Sequence, residues 1–140
     1  MIRKKNLYSR PKKAFEISRM REENLLLQKY ALKKKLEVWK TIAKVDYYRR
    51  RAKALAKAPF EEQQVLFNKL KAIGLKADSI TDILALKVEN FLERRITTIV
   101  FKKGFATTTQ EARQMVVHKR ILLDGKVVNS ERDPSPWKCY

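Results

Sequence analysis

Little in this sequence could support redox, metal or nucleotide chemistry. A single cysteine, Cys139, stands among 140 residues. It excludes an internal disulfide and any cysteine-cluster metal site, and it fits a reducing, intracellular compartment. The one histidine, His118, falls near the end of a predicted helix, where solvent or RNA contact suits it better than catalysis. The three glycines, Gly74, Gly104 and Gly125, are isolated, so no glycine-rich phosphate loop can be built. Asp78 and Asp82 flank a turn without the spacing of a cooperating acid–base pair, and neither an enzyme, a cofactor nor a metal is expected. No apolar run approaches the roughly 20 residues of a membrane-spanning helix. The stretch MIRKKNLYSRPKKAF has no apolar run behind its charges, so no signal peptide is expected.

Negative charge is also scarce. Against 33 Lys and Arg there are 15 Asp and Glu, a formal net charge of +18. The excess is uneven: residues 1–60 hold 19 cations against 5 carboxylates, and residues 61–140 hold 14 against 10. Self-repulsion on this scale opposes compaction unless a polyanion neutralises it, and nucleic acid is the commonest such partner. A basic amphipathic membrane binder would set bulky apolar residues opposite one cationic face. Here Trp and Tyr are spread over several predicted helices, so no membrane partner is expected. An apolar share of 44% is near the globular norm, so the chain is not a wholly disordered basic tail.

Along the chain, residues 1–14 read as an extended basic arm, since Pro11 and the cation density disfavour a packed element. Periodicity predicts a helix over about residues 15–31, with Ile17, Met20 and Leu27 on one face, and a second over about 34–57. On the second, Lys40, Lys44 and Arg51 fall in one stripe beside a face carrying Leu36, Trp39, Ala43 and Tyr47. With only Glu37 and Asp46 nearby, the stripe reads as a phosphate-facing ridge. A third helix is bracketed by Pro59 and Gly74, with Glu61 and Glu62 in its first turn and Val65, Leu66, Leu70 and Ile73 inside. Residues Ile80 to Leu86 are ambiguous between a short strand and a helical turn.

The last third carries a denser pattern. A helix over about 88–103 would bury Val88, Phe91, Leu92, Ile96 and Ile99 and stop at Gly104. Thr108 and Glu111 have capping-box spacing ahead of a further helix with Ala112, Met115 and Val116 inside. On it Arg113 and Arg120, seven apart, would point the same way. The stretch ILLDGKVV reads as a hairpin closed by Asp124-Gly125. Two packed helices and a hairpin leave Arg94, Lys102, Lys103, Arg113, Lys119, Arg120 and Lys126 for the surface, and RNA phosphates would offset their repulsion. Thr107, Thr108 and Gln114 add short polar groups, and the start of that helix would offer N–H donors to a phosphate. Arg95 lies nearer the buried side and suggests an internal ion pair, with Glu93 or Glu89.

These segments resemble a known family. LERRITTIVFKKGFATTTQEARQMVVHKRILLDGKVV is similar to the RNA-binding module named after small-subunit ribosomal protein uS-four. It shares the paired Arg94-Arg95, Gly104, Ala112-Arg113 and Asp124-Gly125. Upstream, SRPKKAF, QKYALKKKLEVWK, YRRRAKAL and ITDILALKVENFLERR resemble the archaeal and eukaryotic branch of that ribosomal family, over roughly residues 7–129. The family usually has Gly where Ala31 stands and a Gly-containing turn where Lys119-Arg120 stand. After Val128-Asn129 it continues through a Pro-Ser segment into further strands, where this chain has SERDPSPWKCY.

The resemblance implies a structural RNA binder of the small ribosomal subunit, bound early in assembly to a junction in the 5′ domain of small-subunit rRNA. It also implies neighbouring small-subunit ribosomal proteins as partners, with messenger RNA (mRNA) passing close by. The location implied is cytoplasmic, with nucleolar assembly in a eukaryote. RNA contact carries over to Arg94, Lys102, Lys103, Thr107, Thr108, Arg113, Gln114, Lys119 and Arg120, and for Arg49, Arg50 and Arg51 composition and resemblance agree. A nucleolar pre-rRNA processing factor with the same module is the alternative. The expected fold is α+β and mostly helical: a basic arm (1–14), a helical RNA-binding region (15–87), and a two-helix plus β-hairpin RNA-binding module (88–140).

Overall fold

The computed structural model describes residue 6, residues 8–123 and residues 125–128. Asp124 of the expected turn, the segment 129–140 and residues 1–5 and 7 of the expected arm lie outside the described residues. Among the described residues seven helices and one hairpin follow in order: α1 (Ile17–Lys29), α2 (Lys35–Leu55), α3 (Phe60–Ile73), α4 (Ile80–Ala85), α5 (Val88–Glu93), α6 (Ile96–Lys102), α7 (Thr109–Val117), β1 (Ile121–Leu123) and β2 (Lys126–Val128). The fold is thus mostly helical, with a small antiparallel hairpin near its C-terminal end, as the sequence implied.

Helix α2 is the axis of the N-terminal part. Val38, Val45 and Ala52 are spaced by seven and are all buried, so one stripe of α2 runs through the interior. The neighbouring face is only half covered, and Tyr47 remains 50% exposed. Leu66, Phe67 and Leu70 of α3 pack with Ile83 of α4 against Ala52. Tyr30 and Leu32 after α1 pack with Leu92 of α5 against Val38. The module has a separate interior of Ile96, Val100, Ala106, Ala112 and Val116, closed by Ile121, Leu123 and Val128 of the hairpin. The expected inward faces need two corrections: Ile17 is 62% and Val65 51% exposed, because α1 and α3 present those positions away from α2.

Four chain reversals share one geometry. After α1, α3, α6 and α7 one amide reaches back five residues, and the amide before it reaches back three: Leu32 to Leu27 and Ala31 to Gln28; Leu75 to Leu70 and Gly74 to Lys71; Phe105 to Val100 and Gly104 to Phe101; Arg120 to Met115 and Lys119 to Val116. This paired closure needs a left-handed residue, and glycine adopts that conformation without a Cβ penalty. Gly74 (φ +85°) and Gly104 (φ +78°) fill two of the positions, but Ala31 (φ +49°) and Lys119 (φ +60°) fill the others. Two of the departures from the resembled pattern therefore fall on Ala31 and Lys119, the non-glycine residues held at positive φ among the described residues.

Two expected elements differ. The ambiguous segment 80–86 is helical over Ile80–Ala85, fixed by a capping box in which Ser79 and Asp82 each accept from the other's backbone N–H. The single helix expected over 88–103 is two, broken at Arg94-Arg95, where Arg95 is extended (φ −68°, ψ 144°). The buried Thr98 hydroxyl donates to the Leu92 carbonyl at 3.0 Å, alongside the Arg95 N–H at 3.2 Å, so one carbonyl ties the two sides of the break together.

Candidate RNA-binding surface

The ridge on α2 forms as expected in part. Lys44, Arg50 and Arg51 are exposed, with Arg51 Nη1 donating to the Tyr47 hydroxyl at 3.2 Å. Lys40 is half-buried, its Nζ 5.8 Å from the centre of the Tyr8 ring. Arg49 turns the other way: its Nη2 donates to the Leu86 carbonyl at 2.7 Å and ties α2 to the end of α4. Within the expected arginine triplet, the rotation of Arg49 about α2 thus aims it at the α4 terminus, while Arg50 and Arg51 are exposed.

The arginines of the module are tethers as well as charges. Arg94 Nε donates to the Ile73 carbonyl, and the guanidinium lies where a Cβ on Gly74 would stand, 2.0 Å away at the nearest. Arg95 donates through both terminal nitrogens to one Glu37 oxygen at 3.2 Å, so its partner lies on α2 and is neither Glu93 nor Glu89. Glu93 pairs with Lys102 at 3.0 Å and Glu89 with Lys29 at 3.2 Å. Arg113 Nη1 donates to the Ala31 carbonyl at 2.5 Å, joining α7 to the reversal after α1. Arg120 does not align with Arg113, because α7 ends at Val117 and Lys119 turns the chain.

The start of α7 is already occupied by a carboxylate. Thr108 caps the Glu111 N–H at 3.1 Å, while Glu111 Oε2 accepts from the Thr107 hydroxyl at 2.7 Å and the Thr107 N–H at 2.8 Å. The Thr107 hydroxyl, and then its backbone, hold the Glu111 carboxyl below its ordinary range. The capping box is therefore reciprocal with residue 107 instead of 108, and a negative group sits where a phosphate was expected. Gln114, Lys103, Lys119, Arg120 and Lys126 are exposed.

Tertiary structure adds a basin that residue spacing did not reveal. An open concavity of about 1760 Å³ lies between α2 and the module, lined by Lys40, Lys44, Arg50, Arg94, Arg95 and Arg113. Arg10, Arg19, Lys33 and Lys34 line it too, with only Glu22, Glu23, Glu37 and Asp46 as carboxylates. Arg49, Arg51, Lys102, Lys103, Thr107, Thr108, Gln114, Lys119, Arg120 and Lys126 lie outside it. The run of three lysines at 33–35 was the available signal for the missed members.

Behind the basin sits a buried carboxylate. Glu23 is 3% exposed. Its Oε1 accepts from Arg19 Nη1 at 2.6 Å and from Trp39 Nε1 at 2.8 Å, and Lys35 Nζ lies 3.6 Å from Oε2. Burial pushes this carboxyl up, but the Trp39 and Arg19 hydrogen bonds and the two cations outweigh it and hold it below its ordinary range. The same Arg19 donates to the Lys13 and Ala14 carbonyls at 2.9 and 3.0 Å, so one cluster joins the N-terminal segment, α1 and α2.

Among the described residues no group of acids, histidines and cysteines could hold a metal ion, and no helix is long and apolar enough to cross a membrane. A cationic basin framed by helices, with a hairpin-closed module on one side, suits a folded polyanion of the nucleic-acid class. A family model described as "S4 domain" matches residues 94–134, starting at the break between α5 and α6. Small ribosomal subunit protein uS4 of Methanothermobacter thermautotrophicus is 41% identical over 129 residues, covering 88% of this chain and 75% of that protein. The uS4 protein of Hyperthermus butylicus is 39% identical over 126 residues (86% and 72%), and that of Methanocella arvoryzae 37% over 137 (89% and 67%). The chain belongs to the uS4 family of small-subunit ribosomal proteins. These relatives are ribosomal structural proteins, so neither an enzyme nor a processing factor is favoured.

Proposed function

We propose that this chain is a structural constituent of the small ribosomal subunit that seats folded rRNA in the basin between α2 and the module. The observation that carries the reading is the convergence of ten Lys and Arg side chains on one concavity with four carboxylates. Repulsion among those cations is relieved when phosphates enter. Lys40, Lys44, Arg50 and Arg51 read phosphate density along α2. Lys102, Lys103, Lys119, Arg120 and Lys126, with the polar Gln114, extend the contact over the outer face of the module. Arg49, Arg94 and Arg113 act chiefly by fixing the walls of the basin, because each already spans two elements. RNA is recognised largely by shape, and rigid walls let a junction be told from a plain duplex. Thr107 and Thr108 serve as caps whose exposed side lies beside that surface.

The partners that follow are small-subunit rRNA and adjacent small-subunit ribosomal proteins, with mRNA passing near the module. The cytoplasm is the working location, and the nucleolus is the site of assembly in a eukaryote. The chain falls into a basic arm at 1–14, a helical RNA-binding region at 15–87 and the module from 88 onward. Titrating the protein with a small-subunit rRNA junction and with generic duplex RNA, over a series of salt concentrations, tests the reading. Affinity for both falls steeply as salt rises, with a log–log slope of several units, and the junction binds more tightly at every salt. A slope near zero, or equal affinity for the two RNAs, overturns it.

A further inference from the structure

The charge of this molecule is polarised as well as large. Residues 58–86 carry three lysines against four carboxylates, while the other 111 residues carry 30 cations against 11 carboxylates. That neutral stretch is α3, α4 and the loop between them, joined on one side of α2. Within it Lys71 is paired with Asp78 at 2.7 Å, and Asp82 is held in the cap of α4. From Ala58 to Asn68 there is no cation at all.

Helix α3 buries Leu66, Phe67 and Leu70 and leaves Phe60, Glu61, Glu62, Val65, Asn68 and Lys69 exposed. Phe60 is 65% and Val65 51% exposed. Among the described residues neither Glu61 nor Glu62 has an ion-pair partner. Two bulky apolar groups and two carboxylates on a helix face that faces no other element are unfavourable for RNA, because the carboxylates repel phosphates there and Lys69 is the one cation beside Val65 and Glu62. They suit a protein. Any neighbour that binds the same RNA needs its own cation excess, so a basic segment with an apolar anchor complements this face in charge and in apolar surface.

We infer that the outward face of α3 docks a Lys/Arg-rich segment of an adjacent small-subunit ribosomal protein. The inference rests on the reading of this chain as a small-subunit component. The occupant's apolar side chain packs between Phe60 and Val65, and its cations lie against Glu61 and Glu62. RNA occupies the opposite, basin side.

Photo-crosslinking tests it on the full chain assembled into small subunits in its own cell. A benzophenone amino acid replaces Phe60, Val65 or, as a reference on the basin side, Lys44. The Lys44 probe labels rRNA; if it labels none, the ribosomal reading itself fails. With that reference in place, the Phe60 and Val65 probes label a protein within a Lys/Arg-rich peptide. Introducing Glu61→Lys and Glu62→Lys together lowers that yield roughly tenfold, as juxtaposed like charges require. The helical circular dichroism and the Lys44–rRNA crosslink stay unchanged. Labelling of rRNA from α3, labelling of a second copy of this chain, no labelling at all, or labelling insensitive to the charge reversal overturns the inference while leaving the rRNA reading intact.

Discussion

Replacing Lys119 with glycine isolates one backbone effect. Lys119 sits at φ +60° in the reversal after α7, and its N–H and that of Arg120 close onto Val116 and Met115 at 3.0 Å each. A residue with a Cβ in this conformation costs about 1–2 kcal/mol, and glycine removes that cost. Glycine also widens the unfolded ensemble, which offsets about 0.4–1 kcal/mol. The side chain is exposed and makes no hydrogen bond among the described residues, so no packing is lost. Lys119→Gly should therefore stabilise the fold by roughly 0.5–1 kcal/mol, a rise of about 2–4 °C in Tm for a chain of this size. Ala31→Gly provides the contrast. It relieves the same kind of strain at φ +49°, but Ala31 is 8% exposed, and losing its methyl gives back up to about 0.8 kcal/mol. That variant should be nearly neutral. Urea unfolding followed by circular dichroism reads both. A Lys119→Gly variant less stable than the parent would refute the assignment of strain to that turn. The same variant loses one cation near RNA, so its salt slope should shrink by about 1 unit if Lys119 meets a phosphate.

Further outcomes rest on the same geometry. Gly74→Ala should cost about 2–4 kcal/mol, since it adds the strain of φ +85° and drives a Cβ into the Arg94 guanidinium, breaking its bond to Ile73; a loss under 0.5 kcal/mol in urea unfolding contradicts this. The Glu23 carboxyl lies below its ordinary 4.5 in the fold, so its stabilisation is complete above that value and is lost as pH falls through the lowered one. Acid unfolding should begin below about pH 4. Glu23→Ala should cost about 3 kcal/mol at pH 7 by leaving Arg19 and Lys35 uncompensated, and should flatten the acid limb. Lys44→Ala and Arg51→Ala should each weaken junction and duplex RNA alike and lower the salt slope by about 1 unit. Arg113→Ala, which frees a wall of the basin, should weaken the junction more than the duplex in the same filter-binding assay.

Local chemistry was largely legible in the sequence. Apolar spacing placed α1, α2, α3 and α7 within a few residues, since a helix that buries one face must repeat near 3.6. Gly74 and Gly104 marked helix ends because few other residues enter the left-handed region cheaply, and the Asp-Gly pair lay between two short apolar strands. The break at Arg94-Arg95 was not legible. Val88, Phe91, Leu92, Ile96 and Ile99 keep helical spacing straight across it, and what parts α5 from α6 is a set of distant partners. Glu37 draws Arg95 aside from 58 positions away, and the Ile73 carbonyl holds Arg94.

The same limit applies to the cations. Composition alone required a polyanionic partner, because +18 on 140 residues is independent of any fold. Which arginine meets RNA is a matter of what else its guanidinium can reach. Arg49 lies in one basic run with Arg50 and Arg51, and nothing beside Arg94 or Arg113 in the sequence marks a tether, yet each of the three finds a backbone carbonyl on another element. A guanidinium offers five donors and no acceptor, so an unsatisfied carbonyl within reach captures it. Only the packing of α2 against its neighbours decides where those carbonyls stand.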